Sequence, residues 1–176
     1  MILEIRLSNF FSIKEEIVLD LRAANIKSKN AKALKNNLAK FDKTSVLKTV
    51  AMYGANASGK SNIIKAIRFC SMMVLNSHNH NENVLFNFKK FKFGNSNKKL
   101  SNYFIRFVNN EIEYEYSFSL IQSSIVTESL YYYPKGRITK IFNRDERLGK
   151  TKKEKYEAAI EIIKNEFSEI KPNGVK

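Results

Sequence analysis

The chain has 176 residues, of which 43% are hydrophobic, so it can bury the core of one ordinary domain and has room for one site. Its 31 basic and 17 acidic residues give a net charge of +14, which favours phosphate-rich partners. The single cysteine, Cys70, excludes a disulfide framework and a zinc site made of cysteines. The sequence has no apolar run long enough to span a membrane and no signal peptide, which predicts a cytoplasmic protein without a membrane partner.

The first two predicted elements are strands that form a hairpin. Residues Met1–Leu7 alternate between apolar and charged side chains, which predicts a half-buried strand. Residues Glu16–Leu21 form a second apolar run, which we expect to pair with the first across the turn. Asp20 lies near the end of this run, as a magnesium-binding carboxylate does in phosphate-loop enzymes. Because Asp20 lies between two sheet strands and precedes the glycine-containing stretch at 54–61, a plain hairpin acid is the favoured interpretation.

Residues Ala23–Ser45 are rich in Lys, Asn and Ala and predict a polar, solvated excursion. Leu34, Leu38 and Phe41 are spaced as on one face of a short helix. The lysines could contact a nucleic-acid backbone, but a charge run of this kind is typical of a solvated surface. Lys, Asn, Ile and Phe all have AT-rich codons, so a low-GC genome is an alternative explanation for part of the basicity.

The next three elements form a phosphate-binding unit. Residues Val46–Tyr53 predict a strand, and residues Ser61–Leu75 predict a helix with apolar side chains recurring on one face. Between them, Gly54–Ser61 matches G-x-x-x-x-G-K-[ST] at every fixed position. The order of strand, loop and helix is the context that this motif requires.

The residue types of this loop predict its chemistry. Gly54 and Gly59 allow the backbone to curl so that consecutive N–H groups point at an anion. Lys60 is expected to reach the outer phosphates, and the Ser61 hydroxyl to ligate Mg²⁺. The predicted nucleotide contacts are Gly54, Asn56, Ala57, Ser58, Gly59, Lys60, Ser61 and Asn62, with Ser61 as the metal ligand. Cys70, in the helix that follows, is expected to be a buried thiol.

Two stretches after the helix have competing interpretations. His78 and His80 would share a metal only with further ligands, and since no Cys or acidic cluster is near them in the sequence, a solvated loop is favoured. Phenylalanines then alternate with lysines, a pattern that suits stacking and charge neutralisation of single-stranded nucleic acid. A strand with one buried face is the favoured interpretation. The alternating residues are Phe86, Phe88, Lys89, Lys90, Phe91, Lys92 and Phe93.

The second half of the chain predicts an antiparallel meander followed by a helix. Four successive runs are alternating or rich in aromatic residues and are separated by short turns: Ser101–Val108, Glu111–Ile121, Ser124–Tyr133 and Arg137–Arg144. Residues 145–155 are charged and irregular. Residues Tyr156–Ile170 then carry an apolar stripe at helical spacing.

These motifs together resemble a known family. The opening LSNFFSI, the loop GANASGKSN and the blocks FIRF, YEYSFSL, IVTESLYYY and IFNR are similar to the N-terminal lobe of ABC-type ATPases. Within these, the chain resembles the RecF/SMC/OLD-like branch, and more narrowly the bacterial AAA-family ATP-binding proteins of phage-defence and abortive-infection operons. The resemblance covers residues 1–150, including the polar excursion at 23–45, and residues 151–176 would begin a helical insertion or linker.

The resemblance implies an α/β P-loop NTPase fold, with a mixed sheet and an antiparallel meander packed around the P-loop helix. It implies ATP and Mg²⁺ as cofactors, held between the loop and the opposing face of a second ATPase head, and hence a dimer of heads. DNA or an effector protein would be a further partner. One departure concerns Phe11, since relatives commonly carry at this position a basic residue that approaches the phosphates.

Other family motifs have no match in this sequence. Family members continue into a second lobe with a Walker B strand ending in Asp-Glu, a Ser-Gly signature and a switch histidine. Gln122, at a predicted turn, is a weak counterpart of the family's nucleotide-sensing glutamine. We therefore expect a truncation, a split gene product or a fragment of a longer ATPase, and the catalytic residues are unknown.

Two functions stay open. The first is an ATPase head that hydrolyses ATP when a second lobe completes it, in phage defence or DNA transactions. The second is a nucleotide-binding or interaction module that associates with another chain and turns over nothing itself. The intact Lys60 and Ser61 favour contact with a nucleotide. Because the motifs of the second lobe have no match in this sequence, this chain alone is not expected to catalyse hydrolysis.

Overall fold

The computed structural model describes residues 1–24, 35–76 and 85–147. The predicted helix at 156–170, both histidines, and residues 25–34 of the polar excursion, which include Leu34, lie outside the described residues. The phosphate loop, the helix that follows it and the predicted sheet all lie within the described residues.

The predicted N-terminal hairpin is confirmed. Strand β1 (Ile2–Ser8) pairs antiparallel with β2 (Ile17–Asp20), with Leu7 opposite Ile17 and Glu4 opposite Asp20. Asp20 is an acid of this hairpin, as expected, and its carboxylate accepts hydrogen bonds from Arg22 at 2.8–2.9 Å.

The predicted meander is also confirmed. It consists of β5 (Ser101–Asn109), β6 (Ile112–Leu120), β7 (Ile125–Tyr132) and β8 (Thr139–Asp145). Strand β5 also pairs with β1, so the six-stranded sheet has the order β2-β1-β5-β6-β7-β8. Because side chains alternate between the two faces of a strand, one face of this sheet can be apolar while the other stays polar.

The main core lies between that apolar face and helix α1 (Lys60–Asn76). Ala66, Phe69, Cys70 and Met73 recur at helical spacing and turn one side of α1 toward the sheet. Facing residues of the sheet include Ile5, Leu7, Tyr103, Tyr116, Phe118 and Leu120. Cys70 is completely buried, so the prediction of a buried thiol is confirmed.

The short helix expected within residues 23–45 is wrong at Leu38 and Phe41, because residues 35–37 form only one 3₁₀ turn before a strand begins. Leu38–Phe41 is strand β3, and it pairs with β4 (Thr44–Leu47) in a separate two-stranded hairpin. Asp42 takes a positive φ of 49° in the turn, and β-branched Val46 packs at 1% exposure with Leu3 and Val108. The packing of this hairpin against the sheet overrides the weak helical spacing of the apolar residues.

The strand expected to feed the phosphate loop is shorter than predicted. Of the predicted run Val46–Tyr53, only Val46 and Leu47 lie in a strand, where they form the end of β4, and Tyr53 is 92% exposed. A strand before a phosphate loop needs neighbouring strands, and the described residues supply none beside 50–53. The six-stranded sheet packed on α1 is consistent with the predicted α/β fold. All strand pairs in the described part of the chain are antiparallel, so the parallel pairing expected of a mixed sheet is not among them.

The strand expected at 86–93 does not form, and its alternating burial is limited to Phe86 and Phe88, since Phe93 is 71% exposed. Phe86 and Phe88 are buried against α1, with the Phe69 and Phe88 ring centroids 5.1 Å apart. The backbone here bonds to separate loops: Phe86 N–H donates to the Gln122 carbonyl at 2.7 Å, and the Lys89 carbonyl accepts from Phe11 N–H at 2.7 Å. These scattered partners replace a strand ladder.

Candidate phosphate-binding site

The stretch Gly54–Ser61 forms a curled loop that leads directly into α1. Ala57 and Gly59 have positive φ angles of 63° and 95°, and Ser58 N–H donates to the Ala55 carbonyl at 3.2 Å. A Cβ atom at Gly54 would lie only 2.9 Å from the Ser58 hydroxyl oxygen. The loop thus closes tightly across Gly54, and Ala57 holds a conformation that L-residues rarely adopt.

Lys60 folds back over this loop. Its ammonium group donates to the Gly54 carbonyl at 2.7 Å, the Ala55 carbonyl at 2.6 Å and the Ser58 hydroxyl at 3.3 Å. The Lys60 ammonium group therefore lies within the curled loop, where phosphate oxygens could replace the neutral carbonyls as its hydrogen-bond acceptors. An ammonium group gains more from an ionised oxygen than from a neutral carbonyl.

The start of α1 adds a second source of positive potential. Asn62 N–H and Ile63 N–H both donate to the Gly59 carbonyl, at 2.9 and 3.2 Å, so the helix begins immediately after the loop. No acidic residue lies in the first turn of α1 to neutralise the positive end of its dipole. The exposed Ser61 lies in that turn. The backbone thus brings Lys60, Ser61 and the helix N-terminus together, as the motif predicts.

One residue beside the loop has no role in the sequence-based prediction. Ser12, in the turn between β1 and β2, accepts a hydrogen bond from the side-chain amide of Asn62 at 2.9 Å. A Cβ atom at Gly59 would lie 2.9 Å from the same Ser12 oxygen. Asn62, predicted as a nucleotide contact, therefore has a protein partner for its side chain. The only signal for Ser12 in the sequence is its place in the motif LSNFFSI.

A buried asparagine holds this turn in place. The Asn9 side chain donates to the carbonyls of Ser96 and Lys99 at 2.8 and 3.0 Å, and it accepts from Phe91 N–H at 3.0 Å. Asn9 itself has a φ of 57° and is 3% exposed. The turn that carries Ser12 is thus tied to the chain at 91–99. Phe11, next to Ser12, has its ring 6.0 Å from the Lys65 ammonium group.

The other sequence candidates lie apart from the loop contacts. The Arg22 guanidinium holds the pKa of Asp20 below its usual value through side-chain hydrogen bonds. Gln122 lies beside Phe88, whose carbonyl accepts from the Gln122 side chain at 3.4 Å. Within residues 1–24, 35–76 and 85–147, no group of three or more His, Cys, Asp or Glu side chains could hold a metal ion. No helix in this part of the chain is long and apolar enough to cross a membrane.

Comparison with known proteins identifies one family whose model matches this chain. Residues 50–171 match the family model described as "AAA domain, putative AbiEii toxin, Type IV TA system". The match begins four residues before Gly54 and includes the loop, α1 and the whole meander. AAA domains are P-loop ATPases, so the match agrees with the phosphate-loop geometry. The chain has no match among curated proteins.

Proposed function

The chain belongs to this family of AAA domains, and from that premise we propose that it binds ATP with Mg²⁺ through residues 54–62. The observation that carries the proposal is the position of the Lys60 ammonium group, inside a loop curled at Ala57 and Gly59 and directly before α1. Phosphate oxygens would replace the Gly54 and Ala55 carbonyls as its acceptors.

Each part of the loop has a distinct role in this proposal. Backbone N–H groups of residues 56–61 cradle the phosphates, and the N-terminus of α1 adds its dipole. Lys60 neutralises the outer phosphates, and the Ser61 hydroxyl ligates Mg²⁺. When bound, Mg²⁺ would neutralise part of the negative charge of the phosphates. Gly54, Asn56, Ala57, Ser58, Gly59 and Asn62 complete the contact set.

The larger assembly is also a proposal. The sequence motifs support an ABC-type head of the RecF/SMC/OLD-like kind, in which a second lobe supplies the carboxylates that position water. Such heads would hydrolyse ATP as dimers and act on DNA or on an effector protein. The family description names a toxin of a type IV toxin–antitoxin system, and this supports a role in defence.

Replacement of Lys60 tests the nucleotide site. Lys60→Ala should abolish ATP binding, measured by titration calorimetry with Mg²⁺ present, because it removes the only side-chain cation predicted to contact the phosphates. The matched control is Lys43→Ala, which removes the same charge from the exposed turn between β3 and β4. Equal ATP affinity in the wild type and Lys60→Ala would refute the assignment of the phosphate loop.

A second candidate function is a module that binds nucleotide or another chain without turnover. The outer face of α1 favours it, because Ile64, Met72 and Leu75 are 57%, 51% and 69% exposed. A surface helix normally has polar residues on that face. Val50 and Tyr53 add exposed apolar surface just before the loop. These residues are suited to contact with further protein.

Turnover distinguishes the two functions. If the module interpretation is right, purified residues 1–176 should release phosphate from ATP at the same background rate with and without Lys60→Ala. A rate in the wild type that disappears in Lys60→Ala would reject this second candidate. It would also show that a water-activating group lies within the chain itself.

A further inference from the structure

Ser12 is an exposed residue at the side of the phosphate loop, and the turn that carries it is packed into the core. The turn that carries it is closed by Phe10 and Ile13, which exchange backbone hydrogen bonds of 3.0 and 2.7 Å. Phe10 is fully buried, with its ring centroid 5.7 Å from that of Phe69 in α1 and 5.2 Å from that of Phe88. The same core thus fixes both the turn and the helix, and Ser12 projects from a braced position.

The Ser12 hydroxyl contacts the start of α1 on two sides. It accepts from the Asn62 side-chain amide at 2.9 Å, and it lies 2.9 Å from the position that a Gly59 Cβ would take. One oxygen therefore fills the space beside Gly59 and ties Asn62 to a turn that is 50 residues away in sequence.

We propose that Ser12 is a positioning residue, which holds Asn62 and Gly59 so that the first turn of α1 stays aligned for phosphate binding. The inference deepens the proposed function and rests on it. The hydrogen bond fixes the helix start before nucleotide arrives, so less ordering is needed on binding. Without it, only a fraction of molecules has the loop aligned, and the apparent affinity falls by that fraction.

The first test measures affinity for ATP with Mg²⁺ in single and double variants of the full chain. Ser12→Ala should raise the Kd about 2- to 10-fold, the range expected when one neutral hydrogen bond no longer favours the aligned state. In the Asn62→Ala background, Ser12→Ala should have no further effect, because the partner is already absent. Ser12→Thr keeps the hydroxyl and should restore the affinity.

The second test needs no nucleotide. Amide hydrogen exchange in the segment 60–63, where the Asn62 and Ile63 N–H groups donate to the Gly59 carbonyl, should be faster in Ser12→Ala than in the wild type, because the first turn of α1 opens more often. The matched control is Ser119→Ala, since the Ser119 hydroxyl donates to the Asn102 side chain at 2.8 Å on the open face of the sheet. That variant loses a similar serine–asparagine bond and should change neither exchange at 60–63 nor ATP affinity.

The outcomes separate this inference from the proposed function. Wild-type affinity in Ser12→Ala, additive effects of Ser12→Ala and Asn62→Ala, or a Ser12→Thr variant as weak as Ser12→Ala would each overturn the positioning role. If the wild type shows no Lys60-dependent ATP binding, the proposed function fails instead. Hydrogen exchange then still decides, because unchanged exchange at 60–63 in Ser12→Ala contradicts the structural claim directly.

Discussion

Replacement of Gly59 by alanine should disturb the phosphate loop in two separable ways. Gly59 has a φ of 95°, a conformation that an L-residue adopts only at a cost, and the new Cβ would lie 2.9 Å from the Ser12 oxygen. Gly94 offers a matched control, because it also has a positive φ, 66°, but has nothing within 4 Å of an added Cβ. Comparison of the two variants isolates the contact with Ser12.

The expected costs follow from these geometries. Backbone strain at a positive φ should destabilise either variant by about 1–2 kcal/mol. In Gly59→Ala the Ser12 hydroxyl must also rotate away, which breaks its hydrogen bond with Asn62 and costs about 0.5–1.5 kcal/mol more. We therefore expect about 1.5–3.5 kcal/mol for Gly59→Ala and about 1–2 kcal/mol for Gly94→Ala.

Urea unfolding measures these free energies for Gly59→Ala and Gly94→Ala, each in the wild-type and in the Ser12→Ala background. In a Ser12→Ala background, the excess cost of Gly59→Ala over Gly94→Ala should disappear, since the hydroxyl oxygen is no longer there. Equal destabilisation by Gly59→Ala and Gly94→Ala in the wild-type background would refute the reasoning. An excess that persists without the Ser12 hydroxyl would refute it as well.

Two further predictions concern titratable groups. Burial raises the pKa of the Cys70 thiol, so a thiol reagent should label Cys70 slowly in the native protein and rapidly in denaturant. Immediate labelling of the native protein would contradict the packed position of Cys70 against Tyr103. Hydrogen bonds from Arg22 lower the pKa of Asp20 in the folded protein below its unfolded value of 3.8. The stability that the Asp20 carboxylate contributes is therefore present above pH 3.8 and is lost as the pH falls through the pKa of Asp20 in the folded protein. Asp20→Asn should therefore flatten the fall in unfolding free energy below pH 3.8, and an acid profile parallel to that of the wild type would argue against this pair.

Elements with strong local signals were predicted well from the sequence. The strands β1, β2 and β5–β8 follow the predicted alternating runs to within about two residues at each end, the usual uncertainty of such boundaries. Helix α1 begins at Lys60, one residue before the predicted start. In each case the periodicity of apolar residues and the flanking turn residues favour the same structure, so little depends on distant contacts.

The sequence-based predictions are wrong where the backbone is held by packing or hydrogen bonds with residues that are distant in sequence. Leu38 and Phe41 have helical spacing, yet β3 forms because its hairpin packs on Leu3 and Val108. The chain at 86–93 alternates like a strand, yet its N–H groups bond to the Gln122 carbonyl and the Asn9 side chain. Local pattern cannot identify such partners, because they lie far away in sequence.

The sequence by itself determined the phosphate loop. The spacing of Gly54, Gly59, Lys60 and Ser61 requires a curled backbone, a cation and a hydroxyl at the start of a helix, and all of these are local consequences of residue type. Only the tertiary structure decided what supports the loop. Ser12 approaches Asn62 because burial of Phe10 against α1 brings the β1–β2 turn beside the helix, and no periodicity or motif spacing encodes that long-range contact.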